Sequence, residues 1–264
     1  MHIFFNIFGR QIPAYGLLIV LGAFIANVIG YFLVKHEKKS FDDFMLVEAY
    51  CILGGFLGAK ILYLIVTFND IEWNRIFEAD YFNAVMKGGF VFYGGLIGGA
   101  AAALLAGKLH KLEISYYFTH CIFRIPFIHG FGRVGCFMAG CCYGVPYDGP
   151  LAVVFPDNSL ALHGVKLFPV QIVEAVFLII ISMIVLFLTV KIKSRFTVEA
   201  YLLLYSVLRF ILENYRYDPE RGYFMGVSTS QWISILLFTG AIISIVYRTK
   251  IKPAKTENEV VEEH

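Results

Sequence analysis

Tyr205, Arg209, Glu213 and Arg216 follow one another at intervals of four, four and three residues. On a helix that spacing lines four polar groups along one face, and in so apolar a stretch the face must look inward. Arg133, far away in the chain and also in apolar surroundings, adds a second permanently charged guanidinium with no obvious carboxylate of its own. Two guanidinium forks, Arg133 and Arg209, suit bidentate recognition of a phosphate. At membrane depth the phosphate most available is a lipid headgroup. Lys60 and Arg124 are the other basic residues at that depth, with Glu48 and Glu174 as further acids. Each costs about 2.5–3.5 kcal/mol to insert, so each asks for a reason. For Glu48 and Lys60 the reading is a structural ion pair.

Glycine and cysteine supply two further themes. Gly54 with Gly58, Gly94 with Gly98 and Gly95 with Gly99 make G-x-x-x-G pairs, the ordinary signature of close helix packing in lipid. The run from Gly88 to Gly99 is denser than packing requires, and Tyr93 sits inside it at a thin piece of backbone that a ligand could approach closely. Cys136, Cys141 and Cys142 form a C-x4-C-C cluster. Three small buried hydrophobes are the first reading and an extracytoplasmic disulfide the second. A thiol relay or a metal site with His129 or His163 follows; no metal is expected, because the spacing matches no common zinc pattern.

These residues need a membrane scaffold. Of 264 residues 58% are hydrophobic and 16% charged, with a mean hydropathy of +0.70, against about 25% charged in an ordinary soluble domain. A soluble fold, disorder and a disulfide-stapled module are excluded, and a net charge of +2 gives no argument for nucleic acid. Apolar stretches near 13–34, 44–66, 88–107, 115–140, 170–190, 197–214 and 230–248 are long enough to cross a hydrocarbon core of about 30 Å. The expectation is an all-α, polytopic protein of about seven transmembrane helices, the fourth breaking or tilting near its end. Lys and Arg concentrate in the loops 35–43, 108–113 and 191–195 and in the tail, twelve in all; the opposite side carries six, from Arg10 to Arg221. The positive-inside rule then puts the N-terminus outside and the C-terminus in the cytoplasm. Residues 1–252 read as one transmembrane domain and 253–264 as a polar cytoplasmic tail.

With these features in hand, the sequence resembles the prolipoprotein diacylglyceryl transferase family. Ala14-Tyr15-Gly16-Leu17 resembles that family's first-helix start, and Gly88 to Gly99 its glycine-rich third-helix motif. His129-Gly130-Phe131-Gly132-Arg133-Val134-Gly135-Cys136-Phe137 resembles its glycine-arginine-x-glycine-asparagine-phenylalanine signature. Phe168-Pro169-Val170-Gln171-Ile172-Val173-Glu174, Tyr205 to Arg216, and Ser228-Thr229-Ser230-Gln231 complete six motifs in the family's order.

The resemblance implies an enzyme of the bacterial cytoplasmic membrane. It would move diacylglyceryl from phosphatidylglycerol to the lipobox cysteine thiol of a prolipoprotein signal peptide, releasing glycerol 1-phosphate, with no cofactor. Arg133 and Arg209 would be the essential headgroup ligands, and Tyr15 and Gly144 would line the lipid site. Cys136 and Tyr205 join the substrate-binding group, and Glu213 and Arg216 would support Arg209. Glu174, Gly94 and Gly95 would orient the rest. The chain departs from the pattern in places. Tyr93 takes the position of the family's catalytic histidine, Cys136 that of the signature asparagine, and Phe168 that of the histidine before proline. A divergent subgroup acting on another acceptor, or through its own thiols, is the alternative; a lipid or anion transporter ranks below both. The proton acceptor could be Tyr93 or, as a weaker candidate, His129, one turn before Arg133.

Overall fold

A computed structural model of the chain describes residues 4–7, 9–217 and 222–250; Arg221 and the tail 253–264 lie outside the described residues. Nine α-helices dominate those residues. Four of them, α1 (Ala14–His36), α2 (Phe41–Val66), α7 (Val170–Val190) and α9 (Thr229–Lys250), are long and apolar enough to cross a membrane. They match the expected stretches 13–34, 44–66, 170–190 and 230–248. Contacts divide the chain into two compact units, one made of α1 as far as Gly30 together with the described residues from Phe118 onward, the other of Tyr31–Tyr117.

The second unit is built on α2 and α4 (Phe92–His110). Ser40 caps α2 by accepting from the Asp43 amide at 3.2 Å, and Asp42 and Asp43 place negative charge in its first turn. The glycines make the packing. A Cβ on Gly58 would collide with the Gly94 carbonyl, and one on Gly94 would come within 2.6 Å of Leu62 Cβ. Gly88 and Gly89 lie against the Tyr63 ring. Gly54, Gly58, Gly94 and Gly98 are thus taken up by close backbone contact between α2 and α4. Lys60 departs from its expected ion pair: its ammonium donates to the Val85 carbonyl at 2.7 Å, at the end of α3 (Ala79–Lys87), and lies 4.4 Å from the Tyr63 ring centroid. The dipole of a helix C-terminus and a π-face both favour a cation there.

In the first unit α6 (Arg124–Ala139) packs on α7, α7 on α8 (Thr197–Leu212), and α8 on α9. The stretch expected as a fourth span, 115–140, is two helices, α5 (Ile114–Cys121) and α6, with the break near its start rather than near its end. Pro126 explains the position, since it has no N–H to offer the Ile122 carbonyl one turn back and so cannot continue α5; that carbonyl instead accepts from Ile125 at 3.0 Å. Between α6 and α7 a loop forms its own small core of Phe155, Ala161 and Leu167 around the short pair β3 (Val153–Val154) and β4 (Lys166–Leu167). The chain enters the bundle through the hairpin β1 (Phe4–Ile7) and β2 (Arg10–Pro13). A tighter hairpin, β5 (Tyr223–Phe224) with β6 (Val227–Ser228), leads into α9. Met225 and Gly226, at φ 52° and 75°, give it the left-handed pair of a type I′ turn.

Candidate active site

Helices α6, α7 and α8, with the 3₁₀ turn and bridge that follow α8, bring five charged side chains into one buried row. Glu174, fully buried in the second turn of α7, sets its Oε2 3.0 Å from Arg133 Nε on α6 and 3.8 Å from Arg216 Nη1. Arg216 Nε lies 4.0 Å from Glu213 Oε2, and that same oxygen takes Arg209 Nη2 at 2.8 Å. The sequence of charges is Arg133, Glu174, Arg216, Glu213, Arg209. Arg133 thus has a carboxylate partner after all, in Glu174. Arg133 and Arg209 do not act as two free forks; each has a partner, and Arg216 joins the two pairs.

Hydrogen bonds fix the far end of the row. Ser228 Oγ donates to Glu213 Oε1 at 2.9 Å, and Arg209 Nη2 donates to Ser230 Oγ at 3.1 Å. Both serines lie at the entry to α9, where the Gln231 carboxamide accepts from the Ser228 amide. Arg216 is positioned by backbone: α8 ends at Leu212, a 3₁₀ turn covers Glu213–Tyr215, and Arg216 then forms an antiparallel bridge with Gly144. Only glycine fits at 144, because a Cβ would run into the carbonyls of Phe168 and Tyr215.

Three formal cations against two anions leave the row one positive charge in excess. Taking such groups out of water costs several kcal/mol per ion unless each is paired. Nη1 of Arg209 is buried with no hydrogen-bond partner among the described residues. Side-chain exposure is 13% for Arg133 and 10% for Arg209, and 4% for Arg216. The arrangement is suited to an anion that supplies the missing negative charge beside the outer two arginines.

His129 lies one turn before Arg133, with Nε2 4.0 Å from Glu174 Oε1 and its ring edge-on to Tyr205 at 5.8 Å. Tyr205 in turn stacks on Tyr201. Tyr15, 46% exposed at the start of α1, is touched by α6 at Gly135, where a Cβ would come within 2.8 Å of the Tyr15 backbone. Cys136 follows Gly135 in the last turn of α6. Gln171, one turn before Glu174, is fully buried and donates to the Cys141 carbonyl at 2.9 Å. Gln171 and Ser230 received no role from the sequence, although both fall inside the motifs it singled out.

Of the candidate residues, Tyr15, Arg133, Cys136, Gly144, Glu174, Tyr205, Arg209, Glu213 and Arg216 all belong to the first unit. Tyr93, Gly94 and Gly95 belong to the second, where Tyr93 is 41% exposed in the first turn of α4 and Gly94 and Gly95 face α2.

Residues 2–247 match the family model of prolipoprotein diacylglyceryl transferase. Phosphatidylglycerol–prolipoprotein diacylglyceryl transferase 2 of Clostridium perfringens is 34% identical over 263 residues, covering 96% of this chain and 97% of the relative. The corresponding protein of Clostridium tetani is 35% identical over 237 residues, 88% and 92% of the two chains, and that of Finegoldia magna is 28% identical over 257. With the motifs in order and the match over nearly its full length, the chain belongs to the prolipoprotein diacylglyceryl transferase family.

Proposed function

We propose that this protein transfers the diacylglyceryl group of phosphatidylglycerol to the lipobox cysteine of prolipoproteins. The observation that carries the reading is the surplus cation of the Arg133–Glu174–Arg216–Glu213–Arg209 row in a membrane protein of this family. The cysteine sulfur attacks the glyceryl carbon that bears the phosphate. A C–S bond forms, the C–O bond to phosphate breaks, glycerol 1-phosphate leaves, and the thiol proton goes to a base. Charge grows on the departing phosphate, where preorganised cations are worth most. Arg133 and Arg209, the two more exposed ends of the row, hold that phosphate; Arg216, Glu174 and Glu213 hold them in place. His129 is the side chain beside the row best suited to accept the proton, with Glu174 behind it. Tyr15, Gly144, Tyr205 and Cys136 border the headgroup, while Tyr93, Gly94 and Gly95 shape the glycine-rich helix pair.

Seven spans, an outside N-terminus and a cytoplasmic C-terminus accord with the distribution of Lys and Arg among the loops. In this reading residues 1–252 act as one catalytic domain in the bacterial cytoplasmic membrane and 253–264 as its tail. Complementation tests it: a strain depleted of its own transferase should regain growth and mature lipoproteins with this gene, and not with its Arg133→Ala form.

A further inference from the structure

The three cysteines after the signature arginine are brought together by the turn that closes α6. Gly140 closes α6 in the left-handed region at φ 71°, and the Cys141 amide returns to the Cys136 carbonyl at 3.1 Å. Gln171 grips the Cys141 carbonyl from α7. Cys142 adopts φ 55°, a conformation that a non-glycine residue holds only where its surroundings impose it. Tyr143 then stacks on Tyr217 at 5.8 Å and accepts from its amide at 3.1 Å. All three sulfurs lie within 4.8 Å of one another, Cys136 buried, Cys141 half-buried and Cys142 exposed.

A disulfide would use two of these sulfurs and strand the third beside it, and simple packing would not need an exposed thiol. Three thiolates on a thiophilic ion account for all of them. In a tetrahedral zinc site, with Zn–S near 2.3 Å, the sulfurs stand about 3.8 Å apart, so side-chain rotation of less than about 1 Å at the sulfurs closes the triad. Arg133 and Arg216 lie within electrostatic range of the cluster and offset the negative charge that three thiolates bring to it. The exposed side, at Cys142, leaves the fourth position to water.

We propose that Cys136, Cys141 and Cys142 form a three-thiolate site for a soft divalent or monovalent metal ion of the zinc, cadmium or copper(I) class. Binding releases the thiol protons to solvent and changes no oxidation state. The site adjoins the headgroup residues, Cys136 and Arg133 among them, so its test reads metal rather than activity. The full chain with C51S and C121S is purified in detergent under reducing conditions, stripped with a chelator, and titrated with Cd2+. Thiolate-to-cadmium ultraviolet absorption should saturate at one ion per chain, and one equivalent of Zn2+ should shield three thiols from Ellman's reagent. C136S, C141S and C142S should each weaken binding by more than the 10–100-fold that typically follows loss of a supporting hydrogen bond to a ligand. Three freely reacting thiols in the presence of Zn2+ or Cd2+, without charge-transfer absorption, overturn the proposal. So does a reduced protein that retains no metal and loses two thiols to a disulfide on mild oxidation. The thiol count on the parent protein decides the matter even where a serine variant does not fold.

Discussion

Arg133 Nε stands 3.0 Å from Glu174 Oε2, across the seam between α6 and α7, and Glu174 is wholly buried. The two form a close buried ion pair between the helices. Removing one member of a buried pair strands the other charge, at a cost of about 3–5 kcal/mol. Arg133→Ala should lower kcat/KM for lipobox peptide by about 10²–10³-fold, the range for losing one preorganised donor to developing charge. Arg133→Lys should recover little of it, since an ammonium cannot form the fork. Steady-state kinetics in phosphatidylglycerol vesicles measures both.

Arg216 is expected to act on stability more than on substrate. Its side chain is 4% exposed and bridges Glu174 and Glu213, so Arg216→Ala should leave two carboxylates facing each other without a cation between them. A fall in Tm in detergent larger than that of Arg133→Ala is the expected result, read by thermal unfolding of the two variants side by side.

Ser230 makes one hydrogen bond to Arg209, and a single bond to a charged group is worth about 1.5–3 kcal/mol. Ser230→Ala should therefore cost roughly 10–100-fold in kcat/KM while leaving Tm within a few degrees of the parent. Ser230→Thr, which keeps the hydroxyl, should restore most of the loss.

The proton acceptor can be identified by comparing two variants. With His129 4.0 Å from Glu174, His129→Gln should depress kcat and remove the acid limb of its pH profile. Tyr93→Phe should leave the profile's shape unchanged. A Tyr93→Phe profile that loses its acid limb, with His129→Gln normal, reverses the assignment.

The α2–α4 contact should not tolerate side chains. Gly58→Val places branched carbon against the Gly94 carbonyl and the Gly98 backbone. Overpacking of this kind costs about 1–3 kcal/mol or more where backbone cannot move. Reduced yield of folded protein and a lower Tm than for Gly55→Val, whose nearest neighbour is the Gly95 carbonyl at 3.5 Å, are expected from thermal melts.

What the sequence disclosed follows from what is local. Apolar runs and their ends locate α1, α2, α7 and α9 within a few residues, because span length is dictated by lipid thickness. Arg209 and Glu213 are legible as a pair, four residues apart where α8 gives way to the 3₁₀ turn. Arg133 with Glu174 is not, since forty-one residues separate them and no periodicity links two helices. The break falls at Ile122–Phe123, not near the end of the stretch, because Pro126 disrupts the turn behind it. The surroundings of Lys60 are hidden because its partners are carbonyls and rings, which carry no charge in a sequence. The convergence of Cys136, Cys141 and Cys142 needed the left-handed turns at Gly140 and Cys142, which spacing alone does not reveal.

Conversion of a lipobox peptide by the purified protein in phosphatidylglycerol vesicles, followed by mass spectrometry, tests the central claim most directly. A diacylglyceryl thioether on the peptide cysteine with stoichiometric glycerol 1-phosphate, lost in Arg133→Ala and Arg209→Ala, is the predicted result. A folded protein that yields no thioether, or one whose two arginine variants transfer at the parent rate, would contradict it.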